Sequence, residues 1–220
     1  MIIAIVPAFN EEKTIGGVVA SLHPFVDKII VVNDGSGDAT AERAAAAGAE
    51  VLTHLLNRGQ GAALETGRQA ALKAGAEIIV TFDADGQLNP AEIPAVVAPI
   101  KAGECDVVLG SRFLGSSNAP GLRKMLLRGA IAFTRFTTGL KLTDTHNGFR
   151  AFSRFSAERI IISQDKMAHA SEILERVARL GLKYKEVPVT IKYTAYSLGK
   201  GQKPGDFVKI LKDLFWGKII

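Results

Sequence analysis

Ile78-Ile79-Val80-Thr81-Phe82-Asp83-Ala84-Asp85-Gly86-Gln87 is the stretch that decides the fold. An apolar, β-branched run leads straight into two carboxylates one residue apart and then a glycine. Such a run reads as a buried strand, and its abrupt end places Asp83 and Asp85 together at the strand's carboxyl end. Two carboxylates so close repel each other unless a cation neutralises them. Mg²⁺ and Mn²⁺ favour oxygen ligands and keep phosphates and waters in their remaining positions, so Asp83 and Asp85 are candidate ligands for either ion. Gln87 offers a neutral oxygen to the same ion. The third acid and distal glutamate of a calcium-binding EF-hand are absent. The alternative is a solvated aspartate turn ahead of the helix that opens at Pro90.

Outward from this strand the first half repeats one pattern. Residues 2–6, 28–32, 50–54 and 106–109 are also strand-like, and alanine-rich helical stretches at 14–22, 38–47, 61–74 and 90–101 lie between the strands. Strand–helix alternation with short connections predicts an α/β domain with a mainly parallel central sheet flanked by helices. Ligands of such sheets gather beyond the carboxyl ends of the strands. The sequence there is Pro7-Ala8-Phe9-Asn10-Glu11-Glu12 after the first strand and Asn33-Asp34-Gly35-Ser36-Gly37-Asp38 after the second. Asn57-Arg58-Gly59-Gln60-Gly61 follows the third, and the Asp83–Gln87 turn follows the fourth. Four polar or glycine-rich turns delivered to one edge make a site. Asp34 sits where a carboxylate can accept from a base N–H or a ribose hydroxyl, whereas Asp38 reads as a cap for the next helix. Gly59-Gln60-Gly61 lacks the third glycine of a dinucleotide fingerprint and follows the wrong strand, so its small residues point instead to close backbone approach.

The second half is less regular. Residues 122–140 read as a long amphipathic helix, with Leu122, Met125, Leu126, Phe133, Phe136 and Leu140 at helical spacing among Arg123, Lys124, Arg128 and Arg135. A strand follows at 149–152, helices at 156–162 and 170–180, and a strand at 185–191. Residues 193–204 carry glycines and lysines and read as a loop; 206–220 read as a basic amphipathic helix of interfacial character or, equally, as one packed on its own domain.

Composition fits one domain: 220 residues, 47% of them hydrophobic and 22% charged. The single Cys105 cannot form an internal disulfide. The net charge of +5 conceals an asymmetry: residues 1–110 hold seven Lys and Arg against fourteen Asp and Glu, and residues 111–220 hold twenty against eight. The basic half suits a phosphate-bearing substrate and an anionic membrane surface. A nucleic-acid partner is not expected, because aromatic-interleaved basic strands are missing and the acidic half would repel a polyanion. With no run of about 20 apolar residues and no basic region ahead of an apolar core, the expected location is cytoplasmic, peripheral at the membrane face or beside a small membrane partner.

Pro-Ala-Phe-Asn-Glu-Glu, Asn-Asp-Gly-Ser-x-Asp-x-Thr, Asn-x-Gly-x-Gly-x-Ala and Asp-x-Asp, in that order, resemble the family 2 glycosyltransferases of the GT-A fold. The resemblance spans essentially the whole chain. Asp-Ala-Asp-x-Gln, Val-Val-Leu-Gly-Ser-Arg-Phe at 107–113, Asp-x-x-x-Gly-Phe-Arg at 144–150 and Glu-Val-Pro at 186–188 narrow it to the branch of dolichyl- and polyprenyl-phosphate sugar synthases.

The resemblance implies a single-domain, metal-dependent, inverting transferase. Its donor would be a GDP- or UDP-sugar, and residues 1–110 would form the nucleotide-sugar half. Pro7, Ala8, Phe9, Asn10, Glu11, Val32, Asp34, Asp83 and Ala84 match nucleotide-binding positions. Asp83, Asp85 and Gln87 match the Mg²⁺ or Mn²⁺ site. Arg112 matches a phosphate-contacting arginine, and Arg128 and Lys200 are acceptor-binding candidates in the 111–220 half. A polyprenyl-phosphate acceptor is already ionised and needs arginines more than a base. A sugar hydroxyl on a glycan, the alternative acceptor, would need a carboxylate base, for which Asp144 and Glu172 are candidates. His146 reads as polar surface or as a metal ligand in the wider fold. Two departures bear on that choice. Asn147 stands where the lipid-phosphate branch usually has serine, and the 193–204 loop lacks that branch's arginine. Rival classes are a sugar-1-phosphate nucleotidyltransferase, whose glycine-rich arginine loop after the first strand is missing, and a non-enzymatic nucleotide-binding module.

Overall fold

The computed structural model describes residues 1–114, 129, 131–132, 134–145 and 147–192. Strands β1 (Ile2–Ala8), β2 (Lys28–Asn33), β3 (Glu50–Thr53), β4 (Ile78–Thr81), β5 (Val107–Ser111), β6 (Arg150–Ser153) and β7 (Tyr184–Pro188) form one sheet in the order β3-β2-β1-β4-β6-β5-β7. All pairings are parallel except those of β6, which runs antiparallel to both β4 and β5.

Alternation along β1 shows why the sheet is covered on both sides. Ala4, Val6 and Ala8 face one apolar cluster, and Ile3 and Ile5 face the other. The first cluster is closed by α1 (Ile15–Leu22), α2 (Thr40–Ala46) and α4 (Ile93–Lys101), through Val18, Val19, Ala44, Val96 and Val97 among others. The second is closed by α3 (Gln60–Lys73), α5 (Arg154–Arg159) and α6 (His169–Arg179), through Leu64, Ala71, Ala157, Ile173 and Leu174. Burying each such Ile, Leu or Val contributes about 1.5–3 kcal/mol.

Element boundaries fall close to the sequence expectation, with local differences that have physical causes. The stretch expected as one helix from Pro90 divides into a 3₁₀ turn at Pro90–Glu92, capped by the Asn89 side chain accepting from Ala91 N at 3.2 Å, and then α4. Asp38, expected as the cap of α2, lies one residue before its N-cap Ala39; its carboxylate accepts from Thr40 N at 3.1 Å and closes a turn ahead of the helix instead. Residues 129, 131–132 and 134–138 are helical, in line with the later part of the expected 122–140 helix. That helix stops at Gly139, at φ +73°. Ile131 and Thr134 are buried, but Phe136, expected on the apolar face, is 90% exposed. Residues 122–128, 130 and 133 of that expected helix, and the stretches expected as a loop at 193–204 and a helix at 206–220, lie outside the described residues.

The register brings the functional turns level. Ala8 pairs with Asn33, Ile5 with Thr81, and Thr81 with Arg150. Because β6 is antiparallel, its first residue lies at the same sheet edge as the last residues of β4 and β5. The segment leading into β6, residues 143–149, therefore enters the site.

Candidate active site

The turns after β1 and β2 hold each other. Asn10 adopts φ +53°, unusual for a residue with a side chain, and its N–H donates to Ser36 Oγ at 2.9 Å. Its Oδ1 accepts from Gly37 N at 3.0 Å, and Glu11 N donates to Thr40 Oγ1 at 2.8 Å. The result is a shelf carrying Pro7 and the 45% exposed Phe9. Asp34 is buried behind it. Its carboxylate accepts from Arg58 N at 2.9 Å, Gly59 N at 2.7 Å and His54 Nδ1 at 2.7 Å, while His54 Nε2 bonds Thr66 Oγ1 at 2.9 Å. Asp34 thus fixes the turn between β3 and α3, and any nucleotide contact it makes comes from a group held by three protein donors. His54 was not singled out in the sequence; its position just beyond β3 was the only signal.

Gly59 and Gly61 do permit close approach, to the protein itself. A Cβ on Gly61 would lie 1.9 Å from Gln164 O, and one on Gly59 2.4 Å from Asp165 O. Ala62 N donates to Asp165 O at 3.2 Å, so the start of α3 is seated against the 163–166 segment.

Asp83 lies against Gly148. A Cβ there would come within 2.4 and 2.5 Å of the two carboxylate oxygens, so only glycine leaves the carboxylate its place. Thr81 Oγ1 donates to Gly148 O at 2.6 Å, and Phe82 and Phe149 stack edge to face at 5.3 Å, fastening the two segments together. Gln60 Nε2 donates to Asp83 Oδ1 at 3.2 Å. Desolvation, reinforced by the neighbouring Asp85 charge, pushes the Asp83 carboxyl up to about 6, against the pull of Arg150, Arg112 and the Gln60 hydrogen bond. Asp85 Oδ1 accepts from Gln87 N at 3.0 Å, in a turn through Gly86 at φ +73°.

Arg112, just past β5, and Asp144 form a buried ion pair with Nε to Oδ2 at 2.6 Å. The same Oδ2 accepts from Arg112 N at 3.1 Å, and Oδ1 accepts from Thr145 N at 2.8 Å. Arg150 is a second buried guanidinium, donating through Nε to Asn147 O at 3.0 Å and through Nη2 to Thr145 O at 3.3 Å. Burial lowers its pKa to about 10, opposed by the charges of Asp83 and then Asp144, so it stays a cation at neutral pH. Arg150 appears in the Asp-x-x-x-Gly-Phe-Arg motif but reads there as part of a strand at 149–152; only the antiparallel placement of β6 brings it to the acid pair. Asn147 Oδ1 accepts from Phe149 N at 3.0 Å, and its buried Nδ2 has no hydrogen-bond partner among the described residues.

Other expected site residues fall elsewhere. Val32 is fully buried in the core and offers no accessible surface; Ala84 likewise packs inward, so their part is to set the backbone. Glu172, on α6, does not stand free as a base: its carboxylate accepts from Ser163 N at 3.0 Å and Gln164 N at 2.9 Å, tying that segment to α6. Arg128, His146 and Lys200 lie outside the described residues.

The donor set fits a hard divalent ion. Two oxygen-bearing acids share one edge with Gln87, and the missing side chain of Gly148 is what leaves the Asp83 carboxylate its place there. The charges of Asp83 and Asp144 are both felt by Arg150, and Asp144 pairs with Arg112. Among the described residues no three or more His, Cys, Asp or Glu converge as a closed cage. A cation bound by Asp83 and Asp85 would take its remaining ligands from water and phosphate oxygens, as Mg²⁺ and Mn²⁺ commonly do.

The acid pair, the Pro7–Glu11 shelf and two fixed guanidiniums lie at one sheet edge, and residues 3–161 match the family model described as glycosyl transferase family 2. The chain belongs to that family, and its fold is GT-A. Among its relatives is a UDP-N-acetylglucosamine–dolichyl-phosphate N-acetylglucosaminyltransferase of Methanococcus voltae. It is 35% identical over 226 residues, covering 91% of this chain and 89% of the relative. A polyprenol monophosphomannose synthase of Mycolicibacterium smegmatis is 30% identical over 232 residues, covering 98% and 86%. Among solved structures, glucosyl-3-phosphoglycerate synthase from Mycobacterium tuberculosis in complex with Mg²⁺ and UDP superposes with a TM-score of 0.73 at 26% identity, over 94% of this chain and 74% of that one.

Proposed function

We propose that the protein transfers a sugar, with inversion, from a nucleoside-diphosphate sugar to the phosphate of a polyprenyl phosphate, using Mg²⁺ or Mn²⁺. The observation that carries this reading is the juxtaposition of the Asp83–Asp85 pair with the buried cations Arg112 and Arg150. One side suits a cation and diphosphate, the other a second phosphate. The metal, when bound, supplies charge stabilisation for the departing diphosphate. The shelf of Pro7, Phe9, Asn10 and Glu11, backed by Asp34, holds the base and ribose of GDP or UDP. Arg112, held by Asp144, orients the acceptor phosphate, whose oxygen is the nucleophile.

A lipid-phosphate acceptor is favoured over a glycan hydroxyl by what the carboxylates do. Asp144 holds Arg112 and Glu172 holds the 163–164 backbone, so both candidate bases are engaged by protein donors. The two relatives named above carry dolichyl-phosphate or polyprenol in their names, in keeping with this reading. Among the described residues no helix is long and apolar enough to cross a membrane. The basic half, with Arg128 and Lys200, would meet the lipid headgroup layer from the cytoplasmic face, with residues 1–110 as the donor half.

The test is a donor panel of GDP- and UDP-sugars with polyprenyl phosphate in vesicles, with and without Mn²⁺, reading nucleoside diphosphate release and glycolipid formation. Metal-dependent transfer is expected, and Asp85→Ala should abolish it in a folded protein. Metal-independent transfer, or transfer only to a soluble glycan, would refute the proposal.

A further inference from the structure

We infer that Glu186, on β7, is a positioning residue: it sets Asp144, and through Asp144 the Arg112 guanidinium, for the acceptor phosphate. The inference rests on the phosphate role proposed for Arg112. The Glu186 carboxylate accepts four contacts from three donor groups of two adjacent residues. Thr143 N reaches Oε1 at 2.8 Å and Oε2 at 2.9 Å, Thr143 Oγ1 reaches Oε1 at 3.0 Å, and Asp144 N reaches Oε1 at 3.1 Å. Because the Thr143 hydroxyl spends its hydrogen on Glu186, its 2.7 Å contact with Ser111 Oγ must run from Ser111 to Thr143. Glu186 therefore also orients a hydroxyl at the end of β5, one residue before Arg112.

The strand pairing makes this connection rigid. Ser111 pairs with Pro188 and Leu109 with Glu186 in the parallel β5–β7 register, so β7 is fixed to the strand that ends at Arg112. Glu186 bridges from that strand pair to the returning segment at 143–144. Asp144 completes the path with its two bonds to Arg112, one to Nε and one to the backbone N. A carboxylate at 186 suits this work because every partner is a donor. The neutral amide of glutamine would turn an N–H towards one of them, leaving a half-buried donor facing a donor.

An edge strand could carry a glutamate for stability alone, and a coupling measurement separates the two roles. The full-length protein is assayed as wild type, Glu186→Gln, Arg112→Lys and the double variant, with melting temperature and Mn²⁺–nucleoside diphosphate affinity recorded for each. E186Q is expected to lower kcat/KM for polyprenyl phosphate about tenfold while leaving nucleotide affinity within about twofold. In the R112K background the same change should cost less than about twofold, since its route of action is already impaired. An equal loss in both backgrounds, or a loss that tracks nucleotide affinity, overturns the inference. If wild type transfers nothing to polyprenyl phosphate, the acceptor reading fails by itself. The positioning role is then decided by ¹⁵N NMR of the Arg112 Nε–H, identified by its absence in R112K. Exchange at least tenfold quicker in E186Q upholds it, and unchanged exchange removes it. Should E186Q not fold, Thr143→Val deletes the hydroxyl link at nearly constant shape, and the same coupling to R112K is required.

Discussion

Gly148→Ala places one methyl group where the structure has no room for it, and the consequence can be worked through. The new Cβ would lie 2.4 and 2.5 Å from the Asp83 oxygens and 2.7 Å from its Cγ. The Gly148 side cannot yield easily: its carbonyl is held by Thr81 Oγ1 at 2.6 Å, and Phe149 is fully buried against Phe82. The carboxylate must retreat instead, by about 1 Å to reach ordinary contact distance. Moving a unit charge from about 2.1 to about 3.1 Å from a divalent ion, at an effective dielectric near 20, forfeits about 5 kcal/mol. A water entering the vacated position recovers part of this. The expected net loss is about 3 kcal/mol, or roughly a hundredfold weaker Mn²⁺ binding. Isothermal titration of Mn²⁺ in the presence of saturating nucleoside diphosphate measures it, with circular dichroism confirming the fold. Affinity within twofold of wild type, at an unchanged melting temperature, would refute the reasoning, for Asp83 would then not be a ligand in the place the structure gives it.

Metal binding through Asp83, as proposed, should also be sensitive to acid. Its pKa is raised from 3.8 to about 6, so the ionised, metal-binding form is complete well above that value and is lost as pH falls through it. Apparent Mn²⁺ affinity should fall about tenfold per pH unit below 6, and a flat profile between about pH 5 and 7 would contradict the assignment. Asp144→Asn leaves the buried Arg112 without its counter-ion and should cost about 3 kcal/mol, seen as a melting temperature lower by roughly 10 °C. Transfer lost at unchanged melting temperature would instead mark Asp144 as a group of the chemistry. Gly61→Ala sets a Cβ 1.9 Å from Gln164 O and should destabilise by about 3 kcal/mol in urea denaturation; a loss below about 0.5 kcal/mol would show that the 163–166 segment is not seated on α3 as described.

The strands and the four turns at their carboxyl ends were legible because they depend on local features: apolar runs, helix periodicity and abrupt polar stops. Asp83 and Asp85 are of this kind, and so is the turn at Asp38, although the residue that caps α2 is Ala39. What pairs with what was not legible. Residues 149–152 read correctly as a strand, but nothing in a period-two pattern says that the strand enters antiparallel between β4 and β5. Arg150 and Gly148 owe their place in the site to that insertion. Gln60, Thr143 and Glu186 were missed for the same reason, since each acts on a residue distant in sequence. Asp34 shows the opposite limit. Its position at a strand end is legible, yet the three donors that occupy its carboxylate come from a turn twenty to twenty-five residues further on. Small residues at 59 and 61 announced a close approach without saying that the neighbour is the chain itself.

The ion pair between Arg112 and Asp144 also has a consequence for how such a protein can diversify. These residues are 32 positions apart in sequence yet joined at 2.6 Å, so the chain leaves the sheet and comes back through a closed gate. Loop-closure entropy grows only slowly with length, and a clamp of this kind has already fixed both ends. Chain added between them, away from the buried Ile131, Thr134 and Leu142, can lengthen or shorten at little entropic cost while the strands stay as they are. One frame of strands could thus carry different cassettes between Arg112 and Asp144, each held by the same ion pair.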